Sequence, residues 1–226
     1  MSKIFVAGAT GRVGQEVVKQ LAAASQEVLA AGRKLDRLPK GELITPVAFD
    51  FTWLPDQMAK LLTGVDAIVF TAGSRGKNLL QVDLNGAVKL MQAANLAGIK
   101  RFVMLSSAYS MDQAMWGKVK TLRDITDYNI ARYFADKWLV DESGLDYTLV
   151  QAGILTEEPG TGKIELNPAQ SDSNAIPDVA HTIVAALAEP ATVKKAFIIK
   201  KLKTVRHRSK KPSRLARHVS GANRLA

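Results

Sequence analysis

The sequence predicts a three-layer α/β domain, a doubly wound parallel sheet of about seven strands with helices on both faces. Three observations carry this. Short β-branched and aromatic runs alternate with longer segments of helical period. The first run ends in a glycine-rich turn, Gly8-Ala9-Thr10-Gly11-Arg12-Val13-Gly14, that opens a helix. Gly8, Arg33, Asp50, Gly73, Ser107 and Gly153 all fall just after predicted strands, on the edge where open α/β sheets bind ligands.

The elements follow in order. Residues 3–7 (KIFVA) read as a buried strand that stops at Gly8, and Val13, Val17, Val18 and Leu21 recur at helical spacing over 12–24. Strands are predicted at 27–31 and 44–49, a helix at 54–62 ahead of Gly64, and a strand at 67–71 closed by Ala72-Gly73. Residues 79–97 form one long helix with Gly98 at its C-terminal cap. A strand at 101–105 meets Ser106-Ser107, a second long helix covers 125–141, and a strand at 147–150 is closed by Gln151-Ala152-Gly153. Pro177 opens a helix through 188, and residues 196–200 supply a seventh strand at the sheet edge.

Composition narrows the function classes. The apolar fraction of 47% suits a packed core, and no window holds the roughly 18 apolar residues of a membrane span. Cysteine is absent, which excludes thiolate metal sites and cysteine nucleophiles. His181, His207 and His218 have no metal-ligand spacing, so no metal is expected. The start, Met1-Ser2-Lys3, does not read as a signal peptide, and a cytoplasmic location is the default. Residues 1–193 carry 19 Lys and Arg against 21 Asp and Glu, whereas residues 194–226 carry 12 basic residues and no acid. The net charge of +10 therefore belongs to a tail. Residues 1–202 are expected to form the domain and 203–226 a basic tail, disordered or weakly helical. That tail lacks aromatic residues for base stacking, so nucleic acid is not an expected partner. Monomer and homodimer are both open.

The glycine turn is where chemistry enters. Gly8 permits the tight turn, Gly11 lets backbone approach a pyrophosphate, and Gly14 lets helix and strand pack closely, while the helix N-terminus offers free N–H groups. With the strand before and the helix after, this is the signature of a Rossmann dinucleotide site, with Thr10 and Val13 in the same turn. The strand ending at Gly32-Arg33-Lys34 has no acid before Asp36. Arg33, with Arg12 in the turn, favours NADP(H) over NAD(H), because a planar guanidinium suits a 2′-phosphate. A solvated cationic turn is the competing reading of Arg33-Lys34. Asp50 and Phe51 are placed at the adenine. Ala72, Gly73, Ser106, Gln151, Gly153 and Ile154 are placed along the rest of the cofactor, and residues 156–175 are the expected substrate-side loop.

Five segments carry a family resemblance: KIFVAGATGRVG, DAIVFTAG, KRFVMLSS, YNIARYFADKWL and SGLDYTLVQAGILT. Over roughly residues 3–200 the chain resembles the atypical short-chain dehydrogenases/reductases with an NAD(P)H-binding domain, of the NmrA-like and biliverdin-reductase-B-like kind. The resemblance implies hydride transfer to a small carbonyl, quinone or flavin-like acceptor. It also implies a tyrosine that donates a proton, a lysine four residues on that lowers the tyrosine pKa, and a serine that orients the carbonyl. Ser107 takes the serine position. Two frames compete for the pair: Tyr133 and Lys137 spell YxxxK literally, whereas the family spacing falls on Tyr128 and Arg132, with Ala135-Asp136 next. In the second frame arginine stands where the family has lysine, and it cannot lose a proton to a relay. NmrA-like relatives therefore imply an alternative, a regulatory protein that holds NAD(P) without turnover. A sugar-nucleotide epimerase is a third reading, for which the chain is short.

Overall fold

The computed structural model describes residues 1–202; the basic segment 203–226, with His207 and His218, lies outside the described residues. Five parallel strands form the first part of the sheet: β1 (Lys3–Ala7), β2 (Glu27–Gly32), β3 (Ile44–Ala48), β4 (Ala67–Phe70) and β5 (Arg101–Ser107). β6 (Asp146–Ala152) continues it, and β7 (Ile154–Thr156) and β9 (Ser173–Ala175) form a separate two-stranded sheet. β8 (Ile164–Leu166) and β10 (Lys195–Lys201) complete the main sheet, whose order is β3-β2-β1-β4-β5-β6-β10-β8. After β3 the chain crosses back to lay β4 beside β1, so the topological switch point lies between β1 and β4.

The helices are α1 (Arg12–Ala23), α2 (Pro55–Ala59), α3 (Asn85–Leu96), the four-residue α4 (Gln113–Trp116) and α5 (Lys120–Arg123), α6 (Thr126–Asp141) and α7 (Ile176–Ala188). Alternation along the strands divides the core in two. Phe5, Phe70, Phe102 and Met104 face the layer holding Met58, Leu90, Met91 and Leu139. Val6, Val69, Val103 and Leu105 face Val17, Leu21, Val179 and Ile183. This period-two division is why parallel strands covered on both faces read as continuous apolar runs.

Three expectations change. The main sheet has eight strands among the described residues, and β10 is not its edge: β8 pairs antiparallel with it through Ile199–Leu166 and Lys200–Glu165. The long helix expected over 79–97 starts with a π-helical turn at Leu79–Leu84, a wider winding that often marks functional positions. The expected 54–62 helix is a short α2 followed by a 3₁₀ turn at Lys60–Leu62. Among the described residues no helix is long and apolar enough to cross a membrane.

Candidate functional site

A cleft of about 990 Å³ runs along the C-terminal ends of β1 to β6, within the size range of cofactor and ligand sites. Its floor is the glycine turn. Gly8 has φ +89°, and a side chain there would meet Ala72 N at 2.6 Å; a Cβ on Gly14 would lie 2.2 Å from Gly8 O. The close approach of β1, β4 and α1 thus requires both glycines. The α1 N-terminus has no side-chain cap and no acid in its first turn. It presents unpaired N–H groups and a positive dipole end to the cleft, which fits an anionic diphosphate.

At the β2–β3 end, Arg33 is exposed and lines the cleft with Asp50 and Phe51. Asp50 Oδ1 accepts the Thr52 N–H at 2.8 Å. That bond lowers the Asp50 pKa most; burial opposes it, and Arg33 and Lys89 add to the lowering. Arg12 also lines the cleft, and its Nη1 donates to Glu157 Oε1 at 2.8 Å. The turn cation is thereby engaged by the loop after β7.

The opposite end is built on α6. Tyr128, Arg132 and Asp136 are spaced by four, so they ascend one side of the helix. Arg132 and Asp136 are buried and Tyr128 is half-buried. The Arg132 guanidinium is held from four directions. Nε–H donates to Tyr128 Oη at 3.2 Å, Nη2 to Ala72 O at 2.9 Å and Nη1 to Leu105 O at 3.4 Å. Nη2 also lies 3.3 Å from Asp83 Oδ1. Asp83 belongs to the π-helical turn and is fully buried; its Oδ2 accepts the Ser74 N–H at 2.9 Å. Burial disfavours the Arg132 charge, but Tyr128, Asp83 and Asp136 outweigh it and raise the pKa above the ordinary guanidinium value.

Asp136 lies one turn deeper. Its Oδ2 accepts the Ser106 hydroxyl at 2.5 Å, and its Oδ1 has no hydrogen-bond partner. Burial pushes this carboxyl up to about 6, against the opposing effects of Ser106, Ser110 and Arg132.

Of the residues expected in the site, Gly8, Thr10, Gly11, Arg12, Val13 and Arg33 line the cleft, as do Asp50, Phe51, Ala72 and Gly73. Ser106, Ser107, Tyr128, Arg132, Gly153 and Ile154 line it too. Gly14 does not; it serves the packing of α1 on the turn. Gln151 does not either. It is paired in register with Ser106, so its side chain falls on the α6 face of the sheet, where Nε2 donates to Ser110 Oγ at 2.6 Å. Tyr133 lies outside the lining and packs edge-on against Trp116 and Phe134, while Lys137 pairs with Asp141. His181 is exposed on α7, and among the described residues no cluster of His, Asp or Glu is placed to hold a metal.

Sequence reasoning missed Asp83, the role of Asp136, and the two cations Arg75 and Lys77 that line the cleft after β4. Asp83 had a signal, a lone acid within the apolar run LLQVDL. For Asp136 the signal was the four-residue spacing itself, which continues from Tyr128 and Arg132. Ser171 and Asp172 of the expected substrate-side loop line the cleft, as do Leu155 on β7 and Val119, Leu122 and Ile125. Asp178 at the start of α7 anchors this loop by accepting the N–H groups of Thr161 and Gly162 at 2.8 Å.

A glycine turn at the switch point of a doubly wound parallel sheet is the arrangement of a dinucleotide-binding protein. Residues 8–190 match the family model described as NAD(P)H-binding, and the chain belongs to that family, among the atypical short-chain dehydrogenases/reductases. It is similar to the oxidoreductase ylbE from Lactococcus lactis, whose crystal structure superposes with a TM-score of 0.87 at 44% identity, covering 89% of this chain and 92% of that one. It is 34% identical over 203 residues to the uncharacterized sugar epimerase YhfK of Bacillus subtilis, covering 86% of this chain and 92% of that protein. Its identity to YMR090W of Saccharomyces cerevisiae is 36% over 211 residues, covering 86% and 91%.

Proposed function

We propose that the cleft binds NADP(H) in preference to NAD(H) and serves reduction of a small apolar carbonyl, quinone or flavin-like acceptor. What supports this reading is that one cleft is lined both by the glycine turn and by Ser107, Tyr128 and Arg132. The turn and the α1 N-terminus hold the diphosphate. Arg33 faces the 2′-phosphate, and Arg12 joins it once it leaves Glu157. Reduced nicotinamide, when bound, supplies the hydride. Tyr128 Oη holds a proton towards the acceptor oxygen and Ser107 orients that oxygen. Val119, Leu122 and Ile125 form an apolar wall that excludes water from the acceptor.

One observation favours a second reading, a redox sensor that holds the cofactor without turnover. Arg132 is fixed by Ala72 O, Leu105 O and Asp83, which makes it a lock and not a proton carrier.

The test is fluorescence titration with NADPH and NADH, followed by NADPH oxidation against a panel of aldehydes, quinones and flavin. Arg33→Ala is expected to weaken NADPH about tenfold and to leave NADH unchanged. Oxidation is expected to fall with Tyr128→Phe and not with Tyr133→Phe. Tight NADPH binding with no oxidation across the panel favours the sensor, and equal affinities for NADPH and NADH overturn the cofactor preference.

A further inference from the structure

The buried charges beneath the nicotinamide end do not balance. Arg132 is matched by Asp83, with Nη2 and Oδ1 3.3 Å apart. Asp136 is a second, fully buried carboxyl in the same cluster, and among the described residues it has no ion pair of its own. One of its oxygens has no hydrogen-bond partner and the other accepts the hydroxyl of Ser106, a residue of the cleft lining. The groups around it are few. Its own helix contributes Arg132, whose guanidinium in turn faces Tyr128 and, on the π-helical turn, Asp83. The end of β5 and the following turn supply only the hydroxyls of Ser106 and Ser110, and β6 supplies the uncharged Gln151. With Asp136 ionised, the cluster holds two carboxylates against one guanidinium.

Stability alone does not call for such an arrangement, because a buried carboxylate with an orphaned oxygen is costly. Its place suggests a use. Loss of hydride turns a neutral dihydronicotinamide into a cationic ring, and a surplus anion held in low dielectric favours the cation. We propose that Asp136, acting from behind Ser106, is a positioning charge that biases the cleft towards the oxidised, cationic nicotinamide and so favours hydride departure. This rests on the cofactor assignment above. Proton uptake by Asp136 removes the surplus charge and the bias with it, which makes the preference dependent on pH. The raised carboxyl pKa, about 6, puts that change just below neutrality.

The test needs no acceptor. Dissociation constants for NADP⁺ and NADPH are measured by calorimetry on the full chain between about pH 5 and about pH 8. The 2′-phosphate is common to both cofactors, so its titration cancels in their ratio. In the wild-type protein the ratio of the NADP⁺ constant to the NADPH constant is expected to fall about five- to tenfold as pH rises through that range. In Asp136→Asn the ratio is expected to stay flat, near the low-pH value. Ser106→Ala keeps the carboxylate and removes its hydroxyl donor, so the midpoint is expected to move upwards. This variant and the wild-type profile carry the test if Asp136→Asn fails to fold. A ratio that is independent of pH in the wild-type protein, or identical in Asp136→Asn, overturns the inference alone. Absence of binding by both cofactors overturns the cofactor assignment and the inference together.

Discussion

Replacing Arg132 by lysine restores the residue that the resemblance implies at this position, and the structure predicts that the change is harmful. Arginine donates to Ala72 O, Leu105 O and Tyr128 Oη from one planar fork and forms an ion pair with Asp83 Oδ1 at 3.3 Å. A lysine ammonium is a compact donor with three N–H groups on a different stem and lacks the planar fork that makes all four contacts. The carbonyls at the ends of β4 and β5 then lose a charged donor, and Asp83 loses part of its compensation while remaining fully buried. Hydrogen bonds to charged groups contribute about 1.5–3 kcal/mol each, and weakening a buried pair adds to the loss. A net cost of about 3 kcal/mol follows, or roughly 6–12 °C in Tm for a domain of this size. Thermal and urea unfolding followed by circular dichroism measure it. Adding Asp83→Asn to Arg132→Lys is expected to show coupling of about 1 kcal/mol or more, since the two side chains form one unit. A variant that melts within a degree or so of wild type and oxidises NADPH faster would refute the reasoning, because Arg132 would then be a substitute for lysine and not a lock.

Gly14→Ala is expected to lower stability by about 3 kcal/mol or more and to abolish cofactor binding, because its Cβ would lie 2.2 Å from Gly8 O; calorimetry and NADPH titration check both. Asp178→Ala strips the Thr161 and Gly162 N–H groups of their acceptor, so limited proteolysis is expected to cut within 157–163 several times faster while the rest of the domain stays intact. The Asp136 carboxyl, raised by burial from 3.8 to about 6, makes its contribution to stability depend on pH with a fixed sign. The folded state binds the extra proton, so this contribution is fully present below about pH 4 and is lost as pH rises through about 6, by up to about 3 kcal/mol. Asp136→Asn removes the dependence. Its stability relative to wild type is expected to increase between about pH 4 and about pH 7 in urea titrations, and a constant difference would contradict the assigned burial.

Much of the architecture is legible because parallel strands buried on both faces have to be continuous apolar runs. Residues 3–7, 67–70 and 101–105 show this, and each is followed by the small or polar residue that its strand end requires. The glycine turn is equally legible, since Gly8 and Gly14 are required by backbone approach and not by side-chain chemistry. The antiparallel edge β8 and the pair β7–β9 are hidden because three-residue strands carry too little period to read. The π-helical turn at Leu79–Leu84 is hidden because its residues have ordinary helix propensity, and tertiary contact between Asp83 and Arg132 accompanies the widened winding. Gln151 lies outside the cleft lining, its amide engaged by Ser110 Oγ, while the next residue, Ala152, lines the cleft, and no local pattern distinguishes the two. The buried Asp83–Arg132–Asp136 group joins a π-helical turn to α6 across the ends of β4 and β5, and no local pattern encodes a contact between such distant segments.

The central claim is that the glycine turn and the Tyr128–Arg132 end belong to one cofactor site. A crystal structure of the protein grown with NADPH tests it most directly. The account predicts the diphosphate on the α1 N-terminus, the 2′-phosphate against Arg33, and the nicotinamide C4 edge facing Tyr128 Oη, with Arg132 still bound to Ala72 O and Asp83. A nicotinamide directed towards Tyr133, or a dinucleotide lying away from the Gly8–Gly14 turn, would contradict it.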